Sequence, residues 1–198
     1  MKKAILFLTF SLTYFLSSFS QNTFEGKIIL RAENTETKEN SDITWYMKNG
    51  QHLLSYVNSG TGVNSTYSLL SKEGKLEMIN ERGRVNIPGN SLKKLDYDFT
   101  NYKLLNKEGN KVVNEFNCIK YTLESGNNVA QVWVADYEGL SISDFPEVMQ
   151  STLLSACEKL HQGGVPVQLI ISDKSNKTLY KQTISYIMPC KVADEKFK

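Results

Sequence analysis

The chain has 198 residues, of which 40% are hydrophobic, 11% aromatic and 22% charged. That is the composition of one globular domain, and it excludes a disordered tail, a collagen-like repeat and a disulfide-dense mini-protein. Lys2 and Lys3 are the basic residues before position 21, so the remainder carries 21 basic against 21 acidic side chains and has no long-range pull on phosphate backbones; nucleic acid is not an expected partner.

Met1-Lys2-Lys3 is a basic start, 4–16 is a mostly apolar run, and Ser18 and Ser20 are the small residues a signal peptidase reads. The pattern predicts a secretory signal peptide over 1–20 and a single β-rich domain over 21–198, in the periplasm or outside the cell. The apolar run is shorter than the ~20 residues a membrane helix needs, and no later stretch reaches that length, so no transmembrane segment is expected after cleavage.

Alternation of apolar and polar residues dominates from Phe24 onward: Phe24, Gly26, Ile28 and Leu30 against Glu25, Lys27 and Arg31. Ile43, Trp45 and Met47 repeat it before Asn49-Gly50, a type I′ hairpin signal, with a return strand at 51–57. Strands at 66–70 and 76–80 flank Ser71 to Gly74, and strands at 102–105 and 111–114 flank Asn106 to Gly109, so both pairs read as hairpins. The stretch 119–123 continues the alternation, and 129–135, apolar on both faces around Trp133, reads as a central strand. Earlier in the chain, 91–98 reads as a short helical turn.

The period then changes. Phe145, Val148, Met149, Leu153, Ala156, Cys157 and Leu160 fall on a 3.6-residue stripe, with Ser143 or Asp144 as N-cap, Pro146 in the first turn and Gly163-Gly164 beyond the end. This predicts one long amphipathic helix over 145–160. Strands at 165–172 and 179–188 close the chain. The expected fold is mainly β: a long curled antiparallel sheet or incomplete β-barrel of ten or so strands, with that helix packed on the concave face, since a twisting sheet with one apolar face needs a cover.

No constellation names a chemistry. His52 and His161 read as structural or surface residues, and no CxxC, HxxxH or HxxE is present, so no metal site is expected. There is no GxSxG, phosphate-binding loop or dinucleotide fingerprint, and the acid pairs Asp96/Asp98 and Asp136/Glu138 read as solvated rims. No catalytic residue and no cofactor are assigned. Three cysteines, Cys118, Cys157 and Cys190, in an oxidising compartment predict one disulfide and one free thiol, with Cys157 the favoured member and the pairing left open.

The run from Asn106-Lys107-Glu108-Gly109 through Asn117-Cys118-Ile119-Lys120-Tyr121, then Val132-Trp133-Val134 and Gly164-Val165-Pro166, resembles a secreted bacterial envelope family called domain of unknown function 4412. Where that family's pattern carries a glycine, this chain has Glu115. The family is in turn similar to the lipoprotein carriers LolA and LolB, an incomplete barrel whose apolar face is lidded by helices. The resemblance implies a shape and an apolar ligand, and transfers no functional residue. The leading expectation is therefore a non-enzymatic carrier for a lipid or other apolar molecule, with Trp45, Met47, Met78, Trp133, Met149, Leu153 and Met188 as pocket candidates. The alternative is an envelope structural or protein-interaction domain with a filled core and no ligand.

Overall fold

A computed structural model describes residues 24–60, 65–72, 75–88, 97, 99–145, 152–160 and 163–198. The segment expected to be cleaved lies outside them, as do His161 and most of the helical turn expected at 91–98. Eleven strands form one antiparallel sheet: β1 (Gly26–Asn34), β2 (Glu39–Lys48), β3 (Gln51–Ser59), β4 (Ser65–Lys72), β5 (Lys75–Asn80), β6 (Gly83–Asn86), β7 (Lys103–Val113), β8 (Phe116–Ser125), β9 (Asn128–Ala135), β10 (Val165–Asp173) and β11 (Thr178–Pro189). Their spatial order is β6-β5-β4-β3-β2-β1-β11-β10-β9-β8-β7, so the last strand pairs with the first while β6 and β7 form two separate edges. The sheet is curled and unclosed.

The two-residue period sets the inner face. Ile28 of β1 lies in register with Trp45 of β2 and Ile187 of β11, and Leu30 with Ile43 and Ile184; all six are buried in one core cluster. Asn49 and Gly50 turn the chain at φ 49° and 70°, as the hairpin signal requires. Of the residues described between β6 and β7, Phe99 and Tyr102 are buried in that cluster and Ile87 and Tyr97 pack against it.

The structure corrects two of the expected elements. Asn106 to Gly109 is no hairpin turn: β7 runs through it as one strand with two register shifts against β8. The reversal comes at Asn114-Glu115, both at positive φ (47° and 71°), the two residues bracketed by the Val113↔Phe116 pair. Nor do the described residues form one long helix. A 3-10 turn at Ile142–Asp144 is closed by the Ser141 N–H donating to the Asp144 carboxylate at 2.7 Å, and Phe145 is extended at φ −94°, ψ 127°. Phe145 precedes Pro146, whose ring disfavours the helical conformation in the residue before it, so a helix starting at Asp144 is broken at its first turn. Among the described residues the α-helix is α1 (Thr152–Lys159). The stripe still points inward: Phe145, Leu153, Ala156, Cys157 and Leu160 are all buried in the inner cluster.

The outer face has its own cover. Val192 and Phe197, the latter in a 3-10 turn at Asp194–Phe197, pack on Leu53 and Leu70. Glu25 accepts the Val192 N–H at 2.7 Å, and Lys48 donates to the Val192 carbonyl at 2.7 Å while pairing with Asp194 at 2.9 Å. The charged tail is thus a strap held over β2 to β5.

The sheet is not continuous along its whole length. The β10–β11 ladder runs from Ser172↔Thr178 to Gln168↔Thr183 and ends there, while β11 continues along β1 as far as Pro189. Pro166, which has no N–H to donate, sits in β10 just past that end and pairs with Val134 of β9. The end of β11 is left with β1 on one side and no ladder on the other.

Candidate functional site

At the place where β9 and β10 stop and β11 runs on, the β7–β8 turn folds back toward β11, and the Asn114 amide donates to the Ile184 carbonyl at 3.1 Å. The turn and the strand enclose a cleft of about 710 Å³, within the range of ligand sites. Its walls are Asn114 to Asn117 of the turn, Ala135 to Tyr137 after β9, and Ser185 to Ile187 of β11. Three aromatic rings face it: Phe116 and Tyr137, with centroids 6.1 Å apart, and Tyr186, which is 49% exposed. Burial raises the Tyr137 phenol above its ordinary pKa, with Tyr186 adding to the rise, so the Tyr137 hydroxyl is a neutral hydrogen-bonding group at physiological pH.

The cleft carries two exposed carboxylates, Glu115 and Asp136, and no lysine or arginine. Neither carboxylate is in an ion pair among the described residues, whereas Glu25, Glu33, Glu108 and Glu124 each have a cation within 4 Å. The chemistry available is hydrogen bonding from tyrosine and asparagine, ring stacking, and attraction for a positive group. No nucleophile is held by a base there. No cluster of three or more metal-ligating side chains occurs among the described residues.

The expected pocket residues converge only in part. Trp45, Met47 and Leu153 are buried together in the inner cluster, and Met78 packs against its margin. Trp133 points to the outer face, where it joins Cys118, Ala135 and Val167 under the Lys120 ammonium, 5.6 Å from the ring centroid. Met188 is in register with Lys27, one residue out of phase with the inward Ile28 and Ile187. A strand apolar on both faces divides its side chains between two clusters, which is why Trp133 and Met188 cannot share a site with Trp45. Met149 lies outside the described residues.

None of the three cysteines is disulfide-bonded in the structure, and each belongs to a different cluster: Cys118 on the outer face of β8, Cys157 on the inner face and Cys190 beside Tyr46 and Leu53. The structure shows no pair for the expected disulfide; the sheet stands between Cys118 and Cys157, and Cys190 belongs to a third cluster.

On the inner face, Trp45 stacks edge-on against Phe145 (4.8 Å) and lies 6.0 Å from the His52 ring. Among the described residues, the Trp45 Nε1 and His52 Nδ1 atoms are buried with no hydrogen-bond partner. Burial lowers the His52 pKa to about 4, against the smaller opposing pull of the Asp144 charge, so the ring is neutral near pH 7.

No family model matches the chain, and no curated protein matches it in sequence. Solved structures do. An uncharacterized conserved protein from Thermus thermophilus aligns over 94% of this chain and 92% of its own, with TM-score 0.48 and 10% identity. The Pseudomonas aeruginosa MucA/MucB complex aligns over 88% of this chain, with TM-score 0.48 and 10% identity; this chain spans about half of that one, 54%. A putative exported protein with YmcC-like fold from Bacteroides fragilis aligns over 83% of this chain and 96% of its own, with TM-score 0.30 and 12% identity.

Proposed function

We propose that the protein is a non-enzymatic interaction module of the cell envelope, exported by its N-terminal segment, whose working surface is the cleft between the β7–β8 turn and the free end of β11. The observation that carries this reading is the cleft's lining: about 710 Å³ walled by three aromatic rings and two carboxylates without counter-ions among the described residues. Such a lining favours a partner segment that presents a basic side chain next to apolar ones. No helix among the described residues is long and apolar enough to cross a membrane, so this reading needs no helical anchor within them.

A second reading, the apolar carrier implied by the likeness to the LolA and LolB shape, draws on the unpartnered Trp45 and His52 nitrogens of the inner face. A ligand oxygen reaching them would relieve both. Against it, the side chains expected to line a carrier pocket are packed together as core or turned to the opposite face. Native mass spectrometry of the exported protein separates the two readings. The interaction module predicts the bare polypeptide mass and no protection of an apolar fluorescent probe. A co-purifying lipid mass, lost when Leu153 is replaced by Arg, contradicts it and moves the function to the inner face.

A further inference from the structure

A second pocket lies on the other half of the sheet and is independent of the cleft. Where β4, β5 and β6 meet the C-terminal strap, a cavity of about 310 Å³ is floored by Leu70 and Phe197 and rimmed by Lys72, Lys75, Arg84 and Lys198. Its carboxylate, Glu77, is paired with Arg84 at 3.4 Å, and Arg84 also donates to the Lys198 backbone oxygen. Arg84 is therefore committed. Lys72, Lys75 and Lys198 form no ion pair among the described residues. Asp194 feels the Lys72 and Lys198 charges but is held by Lys48 at 2.9 Å.

The arrangement carries a cost that no ion pair among the described residues relieves; Glu73, between the two lysines, lies outside them. Lys72 and Lys75 are direct cross-strand partners at the end of the β4–β5 hairpin, and like charges opposite one another destabilise a sheet. Four other lysines are paired: Lys48 with Glu25 and Asp194, Lys111 and Lys120 with a shared Glu108, and Lys174 with Glu124. Here Lys72, Lys75 and Lys198 line one cavity, and none of the three is in an ion pair among the described residues. The third is brought by a segment more than a hundred residues away in sequence, pinned in place by Phe197 against Leu70 and by the Lys48 contacts. Two separate segments thus build one positive concavity in a chain that is otherwise close to neutral.

We propose that this pocket binds an anion of the phosphate class, as a free phosphate or as a phosphorylated headgroup. The volume lies at the lower limit of ligand sites and suits one such group with part of its hydration. The lysines act as point charges, and the anion removes the Lys72–Lys75 repulsion on binding.

The test is thermal unfolding of the full chain in inorganic phosphate against sodium chloride of equal ionic strength, with calorimetric titration of inorganic phosphate. The expected result is a phosphate-specific rise in Tm, and a dissociation constant at least tenfold weaker in the Lys72→Met/Lys75→Met double variant but unchanged in Lys191→Met. A separate variant guards against misfolding: Lys75→Glu replaces repulsion by attraction, so its Tm in low-salt, phosphate-free buffer rises above that of the parent while the phosphate response disappears. Co-sedimentation with phosphatidylglycerol vesicles, abolished by the same substitutions, assigns the anion to a lipid headgroup; a phosphate response without it assigns a free anion. No phosphate response beyond chloride together with vesicle binding that the substitutions leave intact, or a full response in the double variant, overturns the proposal.

Discussion

Gln182 is the polar side chain on which the inner packing depends. It is 1% exposed on β11, and its Oε1 accepts two hydrogen bonds, from the Leu153 N–H at 3.2 Å and from the Tyr180 hydroxyl at 3.1 Å. Leu153 is the second residue of α1, so its N–H is one of the first-turn donors that the helix cannot satisfy internally. The sheet supplies the acceptor, and this bond fixes where the short helix docks. Gln182→Met keeps the side-chain volume and removes the acceptor. Each bond lost is worth about 0.5–1.5 kcal/mol, and leaving the helix N–H buried and unpaired raises its share to about 1–3 kcal/mol. The substitution is expected to cost about 2–4 kcal/mol in urea unfolding with an unchanged m value, a fall in Tm of roughly 5–15 °C for a domain of this size. Gln182→Glu keeps an acceptor oxygen but buries a carboxyl group, so it should lose less at acidic pH, where the acid is protonated, than near neutral pH, where burial penalises the carboxylate. A Gln182→Met cost below about 0.5 kcal/mol would refute the claim that this side chain holds the helix to the sheet.

Three further perturbations have defined outcomes. His52 has a folded-state pKa of about 4, below the ordinary 6.5, so below pH 6.5 the unfolded chain takes up a proton that the folded chain refuses; stability is unaffected above that pH and falls by about 1.4 kcal/mol per unit down to about pH 4. Urea unfolding at pH 7.5 and 4.5 should show that loss in the parent and about 2–3 kcal/mol less of it in His52→Phe; equal losses would contradict the assignment. Glu115, at φ 71°, occupies a conformation that strains a side chain and not a glycine, so Glu115→Gly should gain about 0.5–1 kcal/mol by the same assay; a destabilised variant would show that the Glu115 side chain holds the turn. Thiol titration of the exported, unfolded protein should count three free groups, and a count of one would restore the disulfide.

The strands were legible because burial follows a two-residue period: the inward positions of β1, β2 and β8 can be read directly from Ile28/Leu30, Ile43/Trp45/Met47 and Tyr121/Leu123. The inward stripe of Phe145 and α1 was legible for the same kind of reason. Its start was not, because a proline permitted in a first turn also disfavours helix in the residue before it, and the extended Phe145 shows that no helix runs through Asp144 and Phe145. The Asn106 to Gly109 turn misled because glycine with polar neighbours fits a strand irregularity as well as a reversal, and β7 uses it as an irregularity.

The cleft was out of reach for a different reason. Its walls come from three segments with no motif in common, assembled where one ladder ends early, and the one local sign of that ending is Pro166 at the start of β10. The strap was concealed by composition. Lys191 to Lys198 reads as a solvated charged tail, yet Val192 and Phe197, at a spacing of five, bury themselves on Leu53 and Leu70 once Lys48 and Glu25 hold the backbone at Val192.

The most direct test of the central claim places a photo-crosslinking residue at Tyr137, Tyr186 or Val57 in the exported protein and irradiates cells in which it is made. Tyr137 and Tyr186 line the cleft, whereas Val57 is 52% exposed on β3. The account predicts that both cleft positions capture the same protein, that Val57 does not, and that Glu115→Lys/Asp136→Lys abolishes the capture while leaving Tm close to that of the parent. Capture from Val57 alone, or capture from the cleft that survives the charge reversal, would contradict it.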